Sequence, residues 1–499
     1  MKRLTAVFLS LLLVLTTVGA TMAAPPNPGS GGTNFTVQNL DPAGDAAVRA
    51  DYISQTGAVA AFKEKTISAL GSDGFPIADS GLPDSWIGSV VVSADKKIVA
   101  FAQMIWQGGD PGDGSTSDGK TAGAYNGFEA GAAKLYLPSL ASRDAQFSRI
   151  SVQSAAAPST TETVAFTINF YDRDGALTDT INDTVYKGAQ KTYSLSPDDT
   201  DVDLGGNWLG SAVIEADDGT SPLAAAATMH WRLYAAGYSA VPSGGTKVYL
   251  PSATRRIPSG VTWLQYTGVI VQNLDATTPA TVTVTWYDRA GTELYSFDDP
   301  IPANSAHGYN SRFVDTSQVP DADKAALPVA LGDNWNGSVV IESNGPDIIA
   351  VANLQWTDDH PAKAAASAYT SGVGGTATVY LPATFRRVSG TTWIQYTGAI
   401  VQNVGDTACN DFDVSWYIRG EATPVLTYQD SLDPAISHGY NTQFGAAGSD
   451  FPAGVDVTNL TDDFRGAVTI SASGCELMAI HNTVWPAWTD STTYNGFGE

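Results

Sequence analysis

The sequence predicts an all-β protein built from four tandem antiparallel β-sandwich domains. The first observation behind this prediction is an apolar strand that ends on tryptophan and occurs four times. The second is that short alternating strands separated by turns fill most of the remaining chain, with no sustained helical periodicity. The four repeated strands end at Trp106, Trp231, Trp356 and Trp485. We expect each of these tryptophans to close the core of its own domain; a platform for sugars is the alternative.

A second repeated strand opens on glycine followed by a small residue. Its glycines are Gly88, Gly210, Gly337 and Gly466, at intervals of 122, 127 and 129 residues. A long and nearly constant period indicates an array of whole domains. Such arrays are more typical of scaffolds, spacers and binding surfaces than of enzymes.

Residues 1–23 have the features of a secretory signal peptide. Lys2 and Arg3 precede an apolar run that reaches Val18, and small residues up to Ala23 offer a cleavage site. An uncleaved membrane anchor is the alternative, but the run is shorter than the ~20 residues of a typical span. We therefore expect a secreted or cell-surface protein with no integral membrane span.

Charge and cysteine content exclude several classes of partner and fold. Without Lys2 and Arg3 the chain keeps 24 basic and 51 acidic residues, a net charge of −27. This argues against nucleic acid and anionic membrane as partners, because both require basic patches. Cys409 and Cys475 are the only cysteines, so the other copies must rest on hydrophobic cores. Because both belong to one domain of an exported chain, we predict that they form a disulfide.

Within each copy the strand signals follow one order. A strand ending in Y-L-P, at Pro138, Pro251 and Pro382, precedes a strand ending in V-Q-N or V-Q-S. Alternating strands of the W-Y-D type then end at D-G, A-G or R-G, which suit tight hairpin turns. Together with the glycine and tryptophan strands this makes about seven or eight strands per copy, the pattern of an immunoglobulin-like sandwich.

These signals divide the chain as follows: a signal peptide at 1–23, a flexible leader at 24–33, and β-sandwich repeats at 34–134, 135–247, 248–378 and 379–499. The first repeat has a V-Q-N strand but no Y-L-P strand before it. It is therefore expected to expose an unpaired sheet edge, which is a template for a strand of another chain. We expect subunits to join through this edge once cations screen the net charge.

Candidate ligand contacts lie in the last two copies. Trp263 and Trp393 have no counterpart in the first two copies, and each follows a pair of arginines. The arginines are Arg255 and Arg256 before Trp263, and Arg386 and Arg387 before Trp393. An exposed tryptophan beside arginines suits contact with a protein or a glycan, and packing between domains is the alternative.

Acidic turns are the candidate metal ligands. Asp172 and Asp174 lie in one turn, and Asp198 and Asp199 lie in another. Calcium takes several oxygen ligands from such turns, but neither has the spacing of a known calcium loop, and solvated turns are the alternative. Calcium is the only cofactor that the sequence suggests.

Nothing in the sequence predicts catalysis. His307 and His438 recur in an H-G-Y-N motif, but no nucleophile or carboxylate recurs with them at a matching spacing. The motifs of serine hydrolases, zinc proteases and P-loop enzymes do not occur. We therefore expect a protein that is not an enzyme.

In its Y-L-P, V-Q-N, W-Y-D-x-x-G and G-S-V-V strands, the chain resembles exported bacterial repeat proteins of the cell envelope built from β-sandwich modules. The resemblance covers almost all of the chain after residue 23. It implies a structural or adhesive protein, so we expect a rod, surface layer or filament subunit that self-associates or binds other cell-surface components. An adhesin or glycan-binding module that uses the Trp and Arg loops is the alternative.

Overall fold

The structure is a computed structural model that describes residues 26–110, 120–199, 202–232, 234–257, 263–356, 365–444, 449–486 and 490–499. The described chain is nearly all β, and its antiparallel sheets are consistent with tandem β-sandwich domains. The predicted signal peptide lies outside the described residues. Within them, no helix is both long and apolar enough to cross a membrane.

The strands fall into groups that follow the sequence repeats. Repeat 1 contains β1 (Ser30–Asn39), β2 (Ala46–Ser54), β3 (Val59–Ile67), β4 (Ser72–Phe75), β5 (Gly88–Ala94), β6 (Ile98–Gln107) and β7 (Thr121–Asn126). Repeat 2 contains β8 (Lys134–Arg143), β9 (Gln146–Ser154), β10 (Thr163–Asp172), β11 (Leu177–Tyr186), β12 (Gln190–Ser194), β13 (Asn207–Ala216), β14 (Leu223–Trp231) and β15 (Ala235–Ser239).

Repeats 3 and 4 follow the same plan. Repeat 3 contains β16 (Lys247–Arg256), β17 (Gln265–Asn273), β18 (Ala280–Asp288), β19 (Glu293–Ile301), β20 (Ala306–Asn310), the helix α1 (Ala326–Leu331), β21 (Asn334–Ser343), β22 (Ile348–Trp356) and β23 (Ala365–Thr370). Repeat 4 contains β24 (Thr378–Ser389), β25 (Thr392–Asn403), β26 (Cys409–Ile418), β27 (Pro424–Leu432), β28 (Ser437–Asn441), β29 (Asp463–Ser471), β30 (Leu477–Trp485), β31 (Asp490–Asn495) and β32 (Phe497–Gly498). Short 3-10 helices cover Ile77–Asp79 and Val457–Asn459. The predicted repeat starts at 135, 248 and 379 each lie one residue inside the first strand of a group.

Repeats 2 to 4 share one topology. In repeat 2 the order β11-β10-β13-β8 forms one layer, and β12 and β14 flank β9 in the other layer, with β15 beyond β14. The Y-L-P strand β8 connects the layers, because it pairs with β13 over most of its length and with β9 only at its end. No such strand occurs in the described part of repeat 1, whose strands form two separate sheets, β4-β1-β6-β7 and β3-β2-β5.

The proline of Y-L-P allows this strand to change layers. The pairing of β8 with β13 shifts register at Pro138, because proline has no N–H for the ladder. A tyrosine hydroxyl satisfies the backbone left free there: Tyr238 donates to the carbonyl oxygen of Ser139 at 2.7 Å and accepts from its N–H at 3.1 Å. The equivalent pairs are Tyr369 with Ser252 and Tyr494 with Ala383.

The V-Q-N motif also has a structural role. The amide nitrogen of Asn39 donates to the carbonyl oxygen of Gly44 at 2.8 Å and to that of Ile67 at 3.1 Å, which joins the strand end to two loops. Gln38 donates to the carbonyl oxygen of Leu70, a non-glycine residue with a φ of 55°. The equivalent pairs are Gln272 with Asn304 and Gln402 with Ala435, whose φ angles are 57° and 66°. The buried amides therefore hold one backbone turn in the left-handed conformation in each of these repeats.

The repeats close on themselves. The last strands β7, β15, β23 and β31 pack around one another at the centre, each against the next and the fourth against the first. Asn126 donates to the carbonyl oxygen of Asn495 at 2.8 Å, and the side chain of Asn495 accepts from the N–H of Thr370 at 3.1 Å. At the periphery, Lys97 of repeat 1 forms an ion pair of 2.9 Å with Glu499. Repeat 4 therefore contacts both repeat 3 and repeat 1.

The arrangement of the repeats and the extent of the leader differ from what the sequence predicted. The repeats do not extend as a rod, because their last strands, which consist largely of Ala, Gly, Ser and Thr, pack around one another at the centre. The flexible leader was expected to reach residue 33, but β1 begins at Ser30 and pairs with β6. Gly31 allows this close pairing, since a Cβ there would lie 2.9 Å from the indole of Trp106.

Candidate binding surfaces and charge pairs

The first candidate surface is an aromatic–arginine cluster in repeat 3. The guanidinium carbons of Arg255 and Arg312 each lie 5.2 Å from the ring centroid of Trp263. Arg312 also lies 5.0 Å from the Tyr266 ring and 4.5 Å from the Phe313 ring. Phe313 is 42% exposed. These distances are within the range of cation–π attraction, so the cluster forms a partly exposed layer of aromatic rings and arginines.

Repeat 4 carries a reduced version of this cluster. The guanidinium carbon of Arg386 lies 5.6 Å from the Trp393 ring, and the Tyr396 ring is edge-on to Trp393 at 6.1 Å. Phe444 takes the place of Phe313 and is 54% exposed. Gln443 stands where repeat 3 has Arg312, so the stacked cation is missing.

The first arginine of each predicted pair is already engaged. Arg255 donates to the carboxylate of Asp333 at 2.9 Å, and its side chain is 10% exposed. Arg386 donates to the carboxylate of Asp462 at 2.6 Å with a side chain 11% exposed. Because both are paired and largely buried, a ligand would have to displace a carboxylate to reach them.

The second arginines are half-buried and also paired. Arg256 donates to the side-chain oxygen of Asn334 at 3.3 Å, and Arg387 donates to Asp463 at 2.8 Å. The predicted contact residues therefore come together as two clusters, of which the tryptophan rings and the neighbouring phenylalanines are the parts that a partner could reach.

The acidic turns do not converge on a metal site in the described chain. One oxygen of Asp172 accepts the N–H groups of Asp174 and Ala176 at 3.0 and 2.8 Å, which closes the β10–β11 hairpin. Asp198 and Asp199 lie in the turn after β12. No group of three or more His, Cys, Asp or Glu side chains that could hold a metal ion occurs in the part of the chain that is described. Its geometry therefore gives no support to the predicted calcium ligands.

An acid–base pair links the two layers of repeats 3 and 4. In repeat 3, Nδ1 of His307 lies 2.6 Å from the carboxylate of Asp299, and the Tyr309 hydroxyl donates to that carboxylate at 2.8 Å. The same three residue types meet in repeat 4, as His438, Asp430 and Tyr440, with distances of 2.7 and 2.6 Å to the carboxylate. Burial alone would raise the pKa of Asp430, but hydrogen bonds from His438, Tyr440 and the N–H of Ser431 hold it below its usual value.

The other two repeats keep the pair but change its members. In repeat 2, Lys191 replaces the histidine and lies 2.7 Å from Asp183, which also accepts the Tyr193 hydroxyl at 2.9 Å. In repeat 1 the charges are exchanged between the strands, so that Lys65 on β3 pairs with Asp73 on β4 at 2.8 Å. The sequence did not reveal these pairs, because the two members of each belong to different strands and do not form one motif.

The pairs lie at the joints between successive repeats. Arg173, in the β10–β11 turn of repeat 2, donates to the carbonyl oxygen of Ala306 beside His307. Arg289 of repeat 3 forms an ion pair of 2.6 Å with Asp450 of repeat 4. Arg419 of repeat 4 lies 4.0 Å from Asp73 of repeat 1, which repeats the contact across the closure. The pair recurs at the same place in each repeat, where it joins the two layers and lies beside the contacts between repeats.

A cavity of about 410 Å³ opens in repeat 1 beside its charge pair. Its lining residues are Tyr52, Lys63, Lys65, Phe75, Pro76 and Asp79. Tyr52 is 1% exposed, and its hydroxyl has no hydrogen-bond partner among the described residues. In repeat 3 the equivalent region is filled by α1, whose Leu327 and Leu331 are buried.

The remaining predicted residues have structural positions. Cys409 and Cys475 are joined by a disulfide, with their Cα atoms 5.4 Å apart. Trp356 is 7% exposed and belongs to the core of repeat 3. Trp106 lies edge-on to His230 of repeat 2 at 4.8 Å, so it closes a joint between repeats.

Comparison with known proteins adds no assignment. The chain matches none of the protein-family models, and no curated protein is similar enough in sequence to count as a relative.

Proposed function

We propose that this protein is a non-enzymatic structural component of the cell exterior, secreted and used as a building block of a surface layer or filament. The observation that carries the proposal is the exchange of acid and base between Lys65–Asp73 and the pairs of the other repeats. The signal-peptide features, the net charge of −27 and the resemblance to envelope repeat proteins support the location.

The exchange separates a structural role from a catalytic one. A catalytic base must occupy a fixed place relative to its substrate, and a histidine must be kept where its proton is needed. A pair that holds two sheets together needs only a hydrogen-bond donor opposite a carboxylate at a short distance. Histidine, lysine and the inverted pair all meet this second requirement, whereas the inversion in repeat 1 moves the basic group to the other strand and so does not keep it in the fixed place that catalysis requires.

An exchange variant tests the structural role of the pair. Asp299→Lys and His307→Asp should each lower the melting temperature of the protein, and the double variant, which has the repeat 1 arrangement, should recover much of the loss. The same exchange at Asp430 and His438 is the matched control in repeat 4. No recovery in either repeat would contradict a purely structural pair.

The location and assembly need a second experiment. Antibodies against the protein should label intact producing cells, and the purified mature chain should form ordered arrays by electron microscopy when calcium screens its charge. Retention inside the cell, or particles that stay single at every cation concentration, would refute the proposal.

The partly exposed cluster around Trp263 favours a second candidate function, binding of a glycan or a protein. Aromatic faces beside a cation suit such partners. If this function holds, Trp263→Ala should abolish binding on a glycan array. Trp393→Ala should weaken binding less, because repeat 4 has Gln443 in place of the stacked Arg312. Binding that survives both substitutions would rule out these clusters.

A further inference from the structure

Among the described residues, repeat 1 lacks the strand that completes the other repeats, and the position of that strand is open. In repeats 2 to 4 the glycine strand pairs on both sides, with the W-Y-D strand and with the Y-L-P strand. In repeat 1, among the strands that the structure describes, the equivalent β5 pairs with β2 alone. The free edge of β5 presents unpaired backbone groups to any strand that can reach it.

The missing strand also leaves core positions uncovered. Val90 and Val92 on β5 are half-buried, whereas their counterparts in the other repeats are 0% exposed. Those counterparts are Ala212 and Ile214, Val339 and Ile341, and Val468 and Ile470. Each faces an apolar side chain of a Y-L-P strand, and the leucines at Leu137, Leu250 and Leu381 are themselves 0% exposed. Repeat 1 therefore has a slot shaped for a leucine-bearing strand.

Tyr125 is a second, independent sign of the open slot. Its counterparts, Tyr238 in repeat 2 and the tyrosines of β23 and β31, bind the backbone at the break after the Y-L-P proline. Tyr125 occupies the same place on β7, but its hydroxyl has no hydrogen-bond partner in the described part of the chain. A strand with proline in the slot would supply both a donor and an acceptor.

At each end of the slot, one further residue is more exposed than its counterpart in another repeat. Ile98 is half-buried, whereas its counterpart Leu223 is 0% exposed and pairs with Ala132 just before the Y-L-P strand. On the facing surface of repeat 2, Ala155 is exposed. Its counterpart in repeat 3, Leu274, is buried beneath Tyr136 of the preceding Y-L-P strand. A single missing strand accounts for the exposure at all of these positions.

We propose that repeat 1 accepts an extended strand from a different polypeptide, with alternate apolar residues that end in Leu-Pro. We expect this strand to have the residue pattern of β8, because β8, β16 and β24 occupy the equivalent position in repeats 2 to 4. In each of these strands the leucine enters the core, and the residue after the proline binds the tyrosine hydroxyl. The subunit contact that the sequence led us to expect at this edge would lack a donor strand, since the Y-L-P strands of a second copy are paired inside its own repeats. This inference is independent of the proposed function.

The test uses the intact mature chain and a synthetic peptide with the sequence of residues 132–143, which contains β8. Isothermal titration should show saturable binding of one peptide per chain. A peptide with Leu137→Asp should not bind, because its carboxylate would enter an apolar core. Failure of the unaltered peptide to bind, or equal binding of both peptides, would overturn the proposal.

Two variants of the protein locate the binding. Tyr125→Phe should weaken the binding of the peptide by about two- to tenfold, because it removes one hydrogen bond. The circular dichroism spectrum should stay unchanged. Tyr238→Phe is the matched control, and it should leave peptide affinity unchanged because its own slot is filled. Equal effects of the two substitutions would place the peptide elsewhere.

Self-association is the competing occupant. Sedimentation of the chain without peptide should give a monomer. A dimer that disappears in a Val92→Asp variant would show that a second copy covers the edge, and would overturn the assignment to a separate partner.

Discussion

Acidification should destabilise the protein through two buried histidines. His481 is 0% exposed; Nε2 lies 3.1 Å from the Thr397 hydroxyl, and its ring stacks on Tyr494 at 4.6 Å. Burial lowers the pKa of His481 to about 3, and burial together with the nearby Arg149 lowers that of His230 to about 3. The unfolded chain has the ordinary histidine value of about 6.5.

The sign and size of the effect follow from these values. Between pH 6.5 and 3 His481 is protonated in the unfolded chain but not in the native chain. The contribution of His481 to the free energy of unfolding is therefore fully present above this window and is lost as the pH falls through it. At pH 5 the loss is about 2 kcal/mol for each buried histidine, from about 1.4 kcal/mol per pH unit. The carboxylates lose their own stabilising contribution mainly below pH 5, so the comparison stops at pH 5.

The assay compares the wild-type chain with His481→Gln, which cannot titrate. Urea unfolding followed by tryptophan fluorescence at pH 7 and pH 5 gives the pH-dependent loss of each protein, and the variant should lose about 2 kcal/mol less. The variant's own stability at pH 7 cancels in this difference. Equal losses in the two proteins, or a ring resonance of His481 that titrates near pH 6.5, would refute the argument.

Three further predictions concern stability. Thiol labelling of the unreduced, denatured chain should find no free cysteine, and Cys409→Ser should destabilise repeat 4 by about 2–4 kcal/mol in urea unfolding; two labelled thiols would contradict the disulfide. Trp356→Ala should cost about 3–5 kcal/mol by the same assay, because it empties part of the repeat 3 core, and unchanged melting would show that the ring is not needed there. Gly337→Ala should cost about 1–3 kcal/mol, since a Cβ would collide with the carbonyl oxygen of Tyr287, whereas Gly345→Ala, which meets only open space, should be nearly neutral.

Much of the local structure could be predicted because it depends on neighbouring residues. Alternation and the turn glycines predicted strands, and the W-Y-D-R-A-G stretch matches the β18–β19 hairpin, where Gly291 has a φ of 77°. The proline of Y-L-P predicted the end of a strand, but the strand in fact continues beyond it into the second layer. Continuation is possible because the hydroxyl of Tyr238, distant in sequence, satisfies the backbone at the break.

The candidate sites were less predictable. The sequence placed Arg255 next to Trp263, but it could not show that Asp333 already neutralises that arginine. The pair of Lys65 with Asp73 could not be predicted either, because a contact between two different strands produces no periodic pattern in the sequence of either strand.

By itself the sequence determined the all-β class, the repeat period and the absence of a Y-L-P strand in repeat 1, because alternation, turn residues and repeated motifs are local or countable properties. Only the tertiary structure decided that the repeats close on themselves and that the first contacts the last through Lys97 and Glu499. Closure depends on which faces of β7, β15, β23 and β31 meet. Small residues on those strands permit close packing, but they do not specify the partner. That choice belongs to the geometry of the whole chain.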